Sequence, residues 1–189
     1  MPYQASTRAL PLRAVIDLKG RTGDVLPRLQ RLGLSEPSPG RISAAPGRPQ
    51  ASSHRSPQGV ATPVSSLGAL ELLRAGRAHW LLLAPLQEEE RLLRSILEEP
   101  PAADTLVLAV SDLYQFFAID GPDARQLIAI ASPLDVDASA FPSDGATFTE
   151  AFGQKALLLR RDYGFDVAFE RSYASMVEDY FSRINPEIH

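Results

Sequence analysis

Apolar residues recur along this chain with two periods, and segments of the two kinds follow one another in a regular order. Residues 13–18 alternate around an apolar Val15-Ile16 centre, and the segment ends at Gly20. Residues 25–32 then place apolar side chains at helical spacing. The apolar run 78–84 precedes a second helical pattern at 86–97, while residues 67–73 fit either a strand or a short helix. A period of two indicates a strand and a period near 3.6 indicates a helix. The first half is therefore predicted to alternate strands with two amphipathic helices.

The second half of the chain repeats this order. The pattern predicts strands at 105–110, 114–119, 147–151, 156–160 and 165–169. Asp120-Gly-Pro-Asp123 begins a helix, because Pro122 suits its first position. The last helix carries a continuous apolar stripe formed by Tyr173, Met176, Val177, Tyr180, Phe181 and Ile184. Such a stripe predicts that this helix covers a sheet.

The repeated order predicts an α+β fold built from two tandem lobes. Each lobe would have the strand and helix order of a split βαβ, or ferredoxin-like, unit. We expect residues 1–110 to form an amino-terminal lobe and residues 111–189 a carboxy-terminal lobe. The two lobes are expected to pack around a pseudo-twofold axis as one compact unit.

Residues 35–66 do not follow either period. They contain six prolines and eight serines but few large apolar side chains. Such a stretch buries too little surface to offset the entropy that ordering would remove. We predict a long irregular loop at 35–66, and its unusual length makes it a candidate for ordering on a partner.

Composition narrows the classes of function. The formal net charge of −4 argues against nucleic-acid binding, although residues 1–60 hold nine Arg and Lys against three acids. We interpret that basic stretch as a solvated segment. No apolar run approaches the roughly 20 residues of a membrane span, and no signal-peptide pattern is found. The chain contains no cysteine. We therefore expect a cytoplasmic protein that binds neither membrane nor nucleic acid.

Residues with chemical potential are few and scattered. No Gly-x-Gly-x-x-Gly follows a strand and no Walker motif occurs, so the commonest marks of FAD, NAD and nucleotide sites are missing. The histidines His54, His79 and His189 lack neighbours at metal-ligand spacing. We predict that these histidines are structural or face solvent. We also predict that this chain has no catalytic, cofactor-binding or metal-binding residue.

Two aspartates precede glycines near the ends of matching strands. Asp17 and Asp120 could be paired carboxylates that flank a pseudosymmetric cleft, but we favour acceptors for the first-turn amides of the next helix. Asp135 is predicted to order its own loop through an Asx-type bond, with Phe141-Pro142 anchoring that loop on the core. Arg171, just before the last helix, could pair with a carboxylate or with an anion at the helix N-terminus. For Asp135, Phe141-Pro142 and Arg171 alike we favour structural roles.

The spacing of several short motifs resembles that of one known family. These are Phe117-Ala-Ile-Asp-Gly-Pro-Asp-Ala-Arg125, Ser132-Pro-Leu-Asp135, Ala140-Phe-Pro142 and Arg171-Ser-Tyr-Ala174. Together they resemble the gamma subunit of heterotetrameric sarcosine oxidase, most closely from Tyr114 onward. The first half matches more loosely, since of the family's Leu-Gly-Pro-Asp-Glu-Trp-Leu-Leu segment it keeps only Gly76 and Trp80-Leu-Leu.

The resemblance implies a fold like the folate-binding module of the glycine-cleavage aminomethyltransferase. It also implies a complex with alpha, beta and delta subunits. The alpha and beta subunits of that family hold NAD, FAD and FMN and bind tetrahydrofolate, and the delta subunit holds zinc. The complex demethylates sarcosine to glycine and yields hydrogen peroxide and methylene-tetrahydrofolate. A gamma subunit is not known to bind a cofactor, so this chain would be a non-catalytic subunit.

Three other functions compete with this one. The chain could be the equivalent subunit of an N-methylglutamate dehydrogenase complex, a free-standing folate-binding protein or folate-dependent enzyme, or an unattached scaffold. If it is a subunit, we expect loop 35–66 and the Trp80 strand to contribute to the interface. Deleting residues 46–64 would then weaken assembly without unfolding the protein.

Overall fold

A computed structural model describes residues 3–45 and 70–184 of the chain. Within them the first half forms β1 (Ser6–Ala9), β2 (Arg13–Lys19), α1 (Thr22–Arg31), β3 (Ile42–Ala44), β4 (Glu71–Gly76), β5 (His79–Pro85), α2 (Glu89–Ile96) and β6 (Leu106–Ala109). The second half forms β7 (Tyr114–Asp120), α3 (Ala124–Ala131), β8 (Ala146–Ala151), β9 (Gln154–Arg161), β10 (Gly164–Glu170) and α4 (Ala174–Ile184). One 3₁₀ turn precedes α2 and another precedes α4.

The strands form two five-stranded antiparallel sheets of the same design. The first sheet has the order β3-β4-β5-β2-β6 and the second the order β1-β7-β10-β9-β8. If the outer strands β3 and β8 are set aside, each sheet has the four-strand order of a ferredoxin-like unit. The predicted α+β fold of two such lobes is confirmed.

The strand β1 was not predicted, and it belongs to the second sheet. Ser6–Ala9 pairs with β7, at the position that β6 occupies in the first sheet. The amino-terminal residues thus complete the carboxy-terminal lobe. The lobe boundary at residue 110 stays a prediction, but sheet membership does not follow it at the amino end.

The two lobes pack as four layers. In the first lobe, α1 and α2 cover the outer face of the sheet and enclose Trp80, Ile16 and Leu82. In the second, α3 and α4 enclose Phe117, Phe165 and Phe169, among others. A third apolar cluster fills the space between the inner faces of the sheets; its buried members are Val15, Leu73, Leu81, Leu83, Phe116, Ala146, Leu157, Leu159 and Ala168.

The sheets also join through their outer strands β3 and β8. Arg41 forms a bridge with Gly145, the amide of Ile42 donates to the carbonyl of Asp144 at 2.9 Å, and the amide of Ala146 donates to the carbonyl of Gly40 at 2.9 Å. The two sheets are therefore linked edge to edge at β3 and β8, and among the described residues their opposite edges, β6 and β1, have no further strand partner. The prediction of an irregular loop over 35–66 is wrong for Ile42–Ala44, which form β3, and its part from residue 46 lies outside the described residues.

The turn between β8 and β9 places a bulky side chain in an unfavourable backbone conformation. Phe152 has φ 50° and Gly153 has φ 72°, the conformation of a two-residue hairpin turn that favours Asn-Gly. The Phe152 ring stacks on Tyr180 with centroids 5.0 Å apart and contacts the Phe181 ring at 5.4 Å. Aromatic packing against α4 therefore offsets the backbone strain.

Substitution of Phe152 separates these two effects. We expect Phe152→Ala to lower the free energy of unfolding by about 2–3 kcal/mol, somewhat less than for a fully buried phenylalanine. Phe152→Asn also loses the ring but accepts positive φ, so it should be more stable than the alanine variant by about 0.5–1 kcal/mol. Urea titrations of both variants measure this. An asparagine variant more stable than the natural protein would show that strain outweighs packing.

Candidate functional site

The inner faces of the two sheets carry polar side chains at both ends of their apolar centre. Alternation along β2 directs Arg13, Val15, Asp17 and Lys19 to the second sheet, while Ile16 and Leu18 face the helices. Arg13 and Asp17 thus mark two separate groups of polar residues between the lobes. These groups are the candidates for function.

The first group, here called the ion quartet, consists of Arg13, Glu71, Arg161 and Asp166. Arg161 forms a bidentate pair with Glu71, with Nη1 and Nη2 2.5 Å and 3.0 Å from the two carboxylate oxygens. Its Nε donates to Asp166 at 2.7 Å, and Arg13 donates to Glu71 at 2.6 Å. Arg13 also lies 3.8 Å from Asp166. Because Arg13 and Glu71 belong to the first lobe and the other two to the second, the quartet crosses the lobe interface.

Burial makes the pairing within the ion quartet essential. The side chains of Arg13 and Asp166 are only 4% and 1% exposed. Two arginines balance two acids, and Tyr163 donates an additional hydrogen bond to Asp166. A buried charge is tolerated when it is paired and hydrogen-bonded. The quartet is thus a neutral clamp between the lobes, with its carboxylates engaged by the arginines.

The pKa of Glu71 reflects this environment. Burial alone would raise the pKa, but the charges of Arg161 and Arg13, with their hydrogen bonds, lower it below the ordinary value of 4.5. Burial likewise disfavours the charged form of Arg161, yet Glu71 and Asp166 raise its pKa overall. Both groups are therefore held in their charged forms at neutral pH.

A depressed pKa in the folded state has a defined effect on acid stability. The stabilisation from Glu71 is complete above about pH 4.5, the ordinary glutamate value, and is lost as the pH falls through the lower folded-state pKa. We expect the difference in unfolding free energy between the natural protein and Glu71→Gln to be constant from about pH 7 to 5.5 and to shrink below about pH 4.5. Urea titrations across that range measure it. A difference that grows toward low pH would contradict the assignment.

The second group, here called the Asp17 cluster, consists of Asp17, Lys19, His79 and Tyr114. Lys19 Nζ lies 3.1 Å from Asp17 Oδ2, and His79 Nε2 lies 2.7 Å from Asp17 Oδ1 without meeting hydrogen-bond geometry. Burial raises the pKa of Tyr114, and the negative charges of Asp17 and Glu170 raise it further. The phenol of Tyr114 therefore stays protonated near these carboxylates.

The Asp17 cluster is more accessible than the ion quartet. The side chains of Lys19 and His79 are 50% and 28% exposed. On β6, Leu108 lies opposite Asp17 and Leu106 lies opposite Lys19, so both leucines share the inner face of the sheet with this cluster. An acid, an imidazole, an ammonium group and a phenol can together hydrogen-bond a polar ligand. In this chain they stand at the open side of the inter-sheet space, toward the free edge β6.

The predicted equivalence of Asp17 and Asp120 is wrong. Trp80 in β5 and Phe165 in β10 occupy equivalent positions of the two sheets. Leu18 lies opposite Trp80 and Ile119 lies opposite Phe165, so Leu18 matches Ile119. Asp17, one residue earlier, is therefore the counterpart of Ala118. Asp120 is exposed at the end of β7. The preferred capping role fails as well, because Asp17 contacts Lys19 and His79, and the amides of Asp24 and Val25 in α1 bond to the carbonyl of Arg21.

The structure also places the residues that were predicted to order the loop after α3 and the start of the last helix. Asp135 accepts a hydrogen bond from the amide of Asp137 at 2.9 Å, and Phe141 is buried in the core of the second lobe, so both predictions for this loop are confirmed. The favoured structural role of Arg171 is confirmed, but its partners are neither a carboxylate nor an anion: its guanidinium donates to the carbonyls of Asp112 and Tyr114, at 2.7 Å and 3.2 Å. These bonds fix the segment that enters β7.

The remaining positions concern the histidines and the Trp80 strand. His54 and His189 lie outside the described residues, and half-buried His79 faces Asp17. Trp80 is fully buried in a central strand, so its own side chain is not available to a partner, and a contribution of the surrounding strand region to an interface stays a prediction. Among residues 3–45 and 70–184, no group of three or more metal-ligating side chains is arranged to hold a metal ion, and no helix is long and apolar enough to cross a membrane.

The ion quartet was missed at the level of sequence. Asp166 carried the available signal, because it stands alone in the apolar strand Phe165–Phe169 at a position that alternation directs to the inner face. A charge at such a position requires an opposite charge from another strand. Its partners Arg161 and Arg13 lie in two different strands, and no spacing rule connects them.

Comparisons with known proteins establish the fold. Among solved structures, the chain is similar to a chain of heterotetrameric sarcosine oxidase from Corynebacterium sp. U-96, in complex with pyrrole 2-carboxylate: the TM-score is 0.73 at 16% identity, covering 95% of this chain and 83% of that one. It is also similar to the glycine cleavage system aminomethyltransferase T of Bartonella henselae, with a TM-score of 0.63 at 14% identity. The second match covers 96% of this chain and 46% of the aminomethyltransferase, so this chain spans about half of that protein.

The class defined by these likenesses is the aminomethyltransferase-like α+β fold, as predicted. At such low identities the likeness shows the fold alone. No protein-family model matches the sequence, and no curated protein matches it.

Proposed function

We propose that this chain is a non-catalytic subunit of the gamma type in a complex similar to sarcosine oxidase. The observation that carries the proposal is the mutual coverage with the sarcosine oxidase chain, 95% of this chain and 83% of the other. Two chains of similar length that share one fold over nearly their whole extent are candidates for the same place in an assembly. The aminomethyltransferase, of which only 46% is matched, is a weaker candidate.

The contents of the inter-sheet space support a structural role. Its centre is filled by the apolar side chains of both sheets, and the ion quartet closes one end with two arginines and two carboxylates that pair with one another. Groups engaged in this way hold the lobes together and are not free to bind a substrate. In the proposed complex, oxidation and one-carbon transfer to tetrahydrofolate would take place on other subunits.

The proposal assigns the cofactors to those partners. By the family resemblance, FAD, FMN, NAD and tetrahydrofolate would be bound by the alpha and beta subunits, and zinc by the delta subunit. The present chain would contribute stability and shape to the assembly. Its cytoplasmic location follows from the same proposal.

Affinity purification of the tagged chain from its own organism tests the proposal. We expect stoichiometric recovery of larger subunits whose absorption spectrum shows bound flavin. Addition of sarcosine should bleach the flavin absorption under anaerobic conditions, whereas bleaching only by N-methylglutamate would identify the related dehydrogenase. Recovery of the chain without any flavoprotein would overturn the subunit function.

A free-standing folate-binding protein is the second candidate, favoured by the likeness to the aminomethyltransferase and by the accessible Asp17 cluster. Titration of the purified chain with tetrahydrofolate, followed by calorimetry, tests it. A 1:1 binding curve that Asp17→Asn weakens at least tenfold would support this candidate. No heat of binding would leave the subunit function as the better explanation.

A further inference from the structure

Two exposed apolar side chains of the described residues lie side by side on the edge strand β6. Of the eight large hydrophobic residues that are exposed, Leu106 and Leu108 alone are neighbours on one face of one strand. Leu106 and Leu108 are 42% and 47% exposed although they point to the inner face of the first sheet. Clustered exposure of this kind marks an interaction surface more often than scattered single residues do.

The backbone of β6 also has an unpaired side. The amide of Val110 donates to the carbonyl of Val15. Because backbone amides and carbonyls alternate in direction along a strand, those of Leu106 and Leu108 also point to β2. The backbone amides and carbonyls of Val107 and Ala109 point away from β2. Among the described residues no strand pairs with this outer side. Free amides and carbonyls beside exposed leucines are what an added strand requires.

The equivalent edge of the second sheet is built differently. Leu108 lies opposite Asp17, and its counterpart on β1 is Arg8, which lies opposite Ala118. In the same way, Leu106 has its counterpart in Ser6. An arginine and a serine protect an edge strand against pairing, and two leucines do not. The molecule therefore protects one free edge and leaves the other apolar.

We propose that β6 is the docking edge for an extended segment of a partner subunit, which pairs with Val107 and Ala109 and packs aliphatic or aromatic side chains on Leu106 and Leu108. This inference rests on the proposed function and names its interface. A four-residue edge offers too little area to hold two copies of this chain together by itself, since stable interfaces bury roughly 1,200 Å² or more. The matched chain with 95% and 83% mutual coverage belongs to a heterotetrameric enzyme, so under the proposed function a different subunit is the occupant and a second copy is an outcome of the test.

The test transfers the protected pattern of β1 to β6. Leu106→Ser with Leu108→Arg places on β6 the residue types that β1 carries at equivalent positions, so the fold itself should tolerate them. The matched control is Leu97→Ser with Ile130→Arg, which changes two similarly exposed apolar residues away from β6, Leu97 just after α2 and Ile130 on α3, 43% and 54% exposed. A third variant, Ala109→Pro, removes an amide that points away from β2 and makes no hydrogen bond to it.

Each variant is expressed with a tag in the source organism, and the flavoprotein that copurifies is quantified by absorption and mass spectrometry. We expect the β6 variant to recover at least tenfold less flavoprotein than the natural chain, and Ala109→Pro to recover several-fold less. The control should recover the same amount as the natural chain. Circular dichroism and thermal unfolding confirm that all variants are folded.

The outcomes separate this inference from the function on which it rests. Full partner recovery by the folded β6 variant would overturn the docking edge while leaving the subunit function intact. No partner with the natural chain would overturn both. If the natural chain is a dimer by light scattering and the β6 variant is a monomer, the edge pairs two copies, and a partner strand is excluded.

Discussion

Glu71→Gln is expected to lower the free energy of unfolding by about 3–5 kcal/mol, the cost of breaking a buried ion pair by neutralising one partner. Glutamine has the shape of glutamate, so the packing at the start of β4 remains. What changes is the charge: Arg161 and Arg13 keep two positive charges, and Asp166 alone remains to balance them. Since domains are stable by only about 5–15 kcal/mol, a loss of this size unfolds a large fraction of the protein on mild heating.

A matched exposed position provides the control. Glu90 pairs with Arg94 on α2, but its side chain is 86% exposed. We expect Glu90→Gln to change the unfolding free energy by less than about 0.5 kcal/mol, because exposed pairs contribute little. Equal effects at Glu71 and Glu90 in urea titrations would show that the ion quartet is solvated and does not clamp the lobes.

A double substitution tests whether charge balance is the cause. Glu71→Leu with Arg161→Met removes one acid and one base and leaves Arg13 beside Asp166, at 3.8 Å. Apolar replacements of buried ion pairs are often neutral or stabilising. The double variant should therefore be more stable than Glu71→Gln by at least 1–2 kcal/mol, despite the larger change in composition. A double variant less stable than Glu71→Gln would show that the geometry of the ion pairs, and not the balance of charge, determines the stability.

The order of the elements could be predicted because it depends on local periodicity. The helices at 22–31 and 174–184 and the strands at 79–85 and 164–170 each carry enough apolar residues in one period to identify them. The strand β1 lacks this signal: Ser6-Thr-Arg-Ala9 has no apolar alternation, and its place is set by pairing with β7, more than 100 residues away. Local pattern cannot indicate a strand that is defined by a distant partner.

The candidate sites show the same limit. Repeat alignment by sequence matched Asp17 with Asp120, because both precede a glycine closely, but strand register matches Asp17 with Ala118. A shift of two positions along a strand preserves the face and changes every neighbour. The ion quartet depends on four strands from two lobes, so its members could be suspected individually and assembled only in three dimensions.

Gly164→Ala is expected to be the most damaging substitution among the described glycines, at roughly 2–6 kcal/mol. Gly164 has φ +146°, a conformation that side chains rarely adopt, and a Cβ added there would lie 2.2 Å from the carbonyl oxygen of Ile119 and 3.1 Å from Ala124. The backbone conformation contributes about 1–3 kcal/mol. The overlap with main chain adds about 1–3 kcal/mol, since β7 must move away from β10.

Gly153→Ala is the control that separates conformation from contact. Gly153 also has positive φ, +72°, but nothing lies within 4 Å of the added Cβ. We expect a cost of about 1–2 kcal/mol, the penalty of the left-handed conformation alone. Guanidinium titrations of both variants, with circular dichroism as the signal, give the comparison.

The difference between the two glycine variants reports on the approach of β7 to β10. Gly164 pairs with Asp120 on β7 and with Arg161 on β9, so it stands where the strand that carries Asp166 begins. Asp166 reaches Arg13 only while β10 keeps its place beside β7. If Gly164→Ala pushes these strands apart, it should also reduce the stabilisation that the ion quartet contributes to the free energy of unfolding. The penalties of Gly164→Ala and Glu71→Gln should then be less than additive in the double variant, whereas full additivity would show that the turn and the ion quartet are independent.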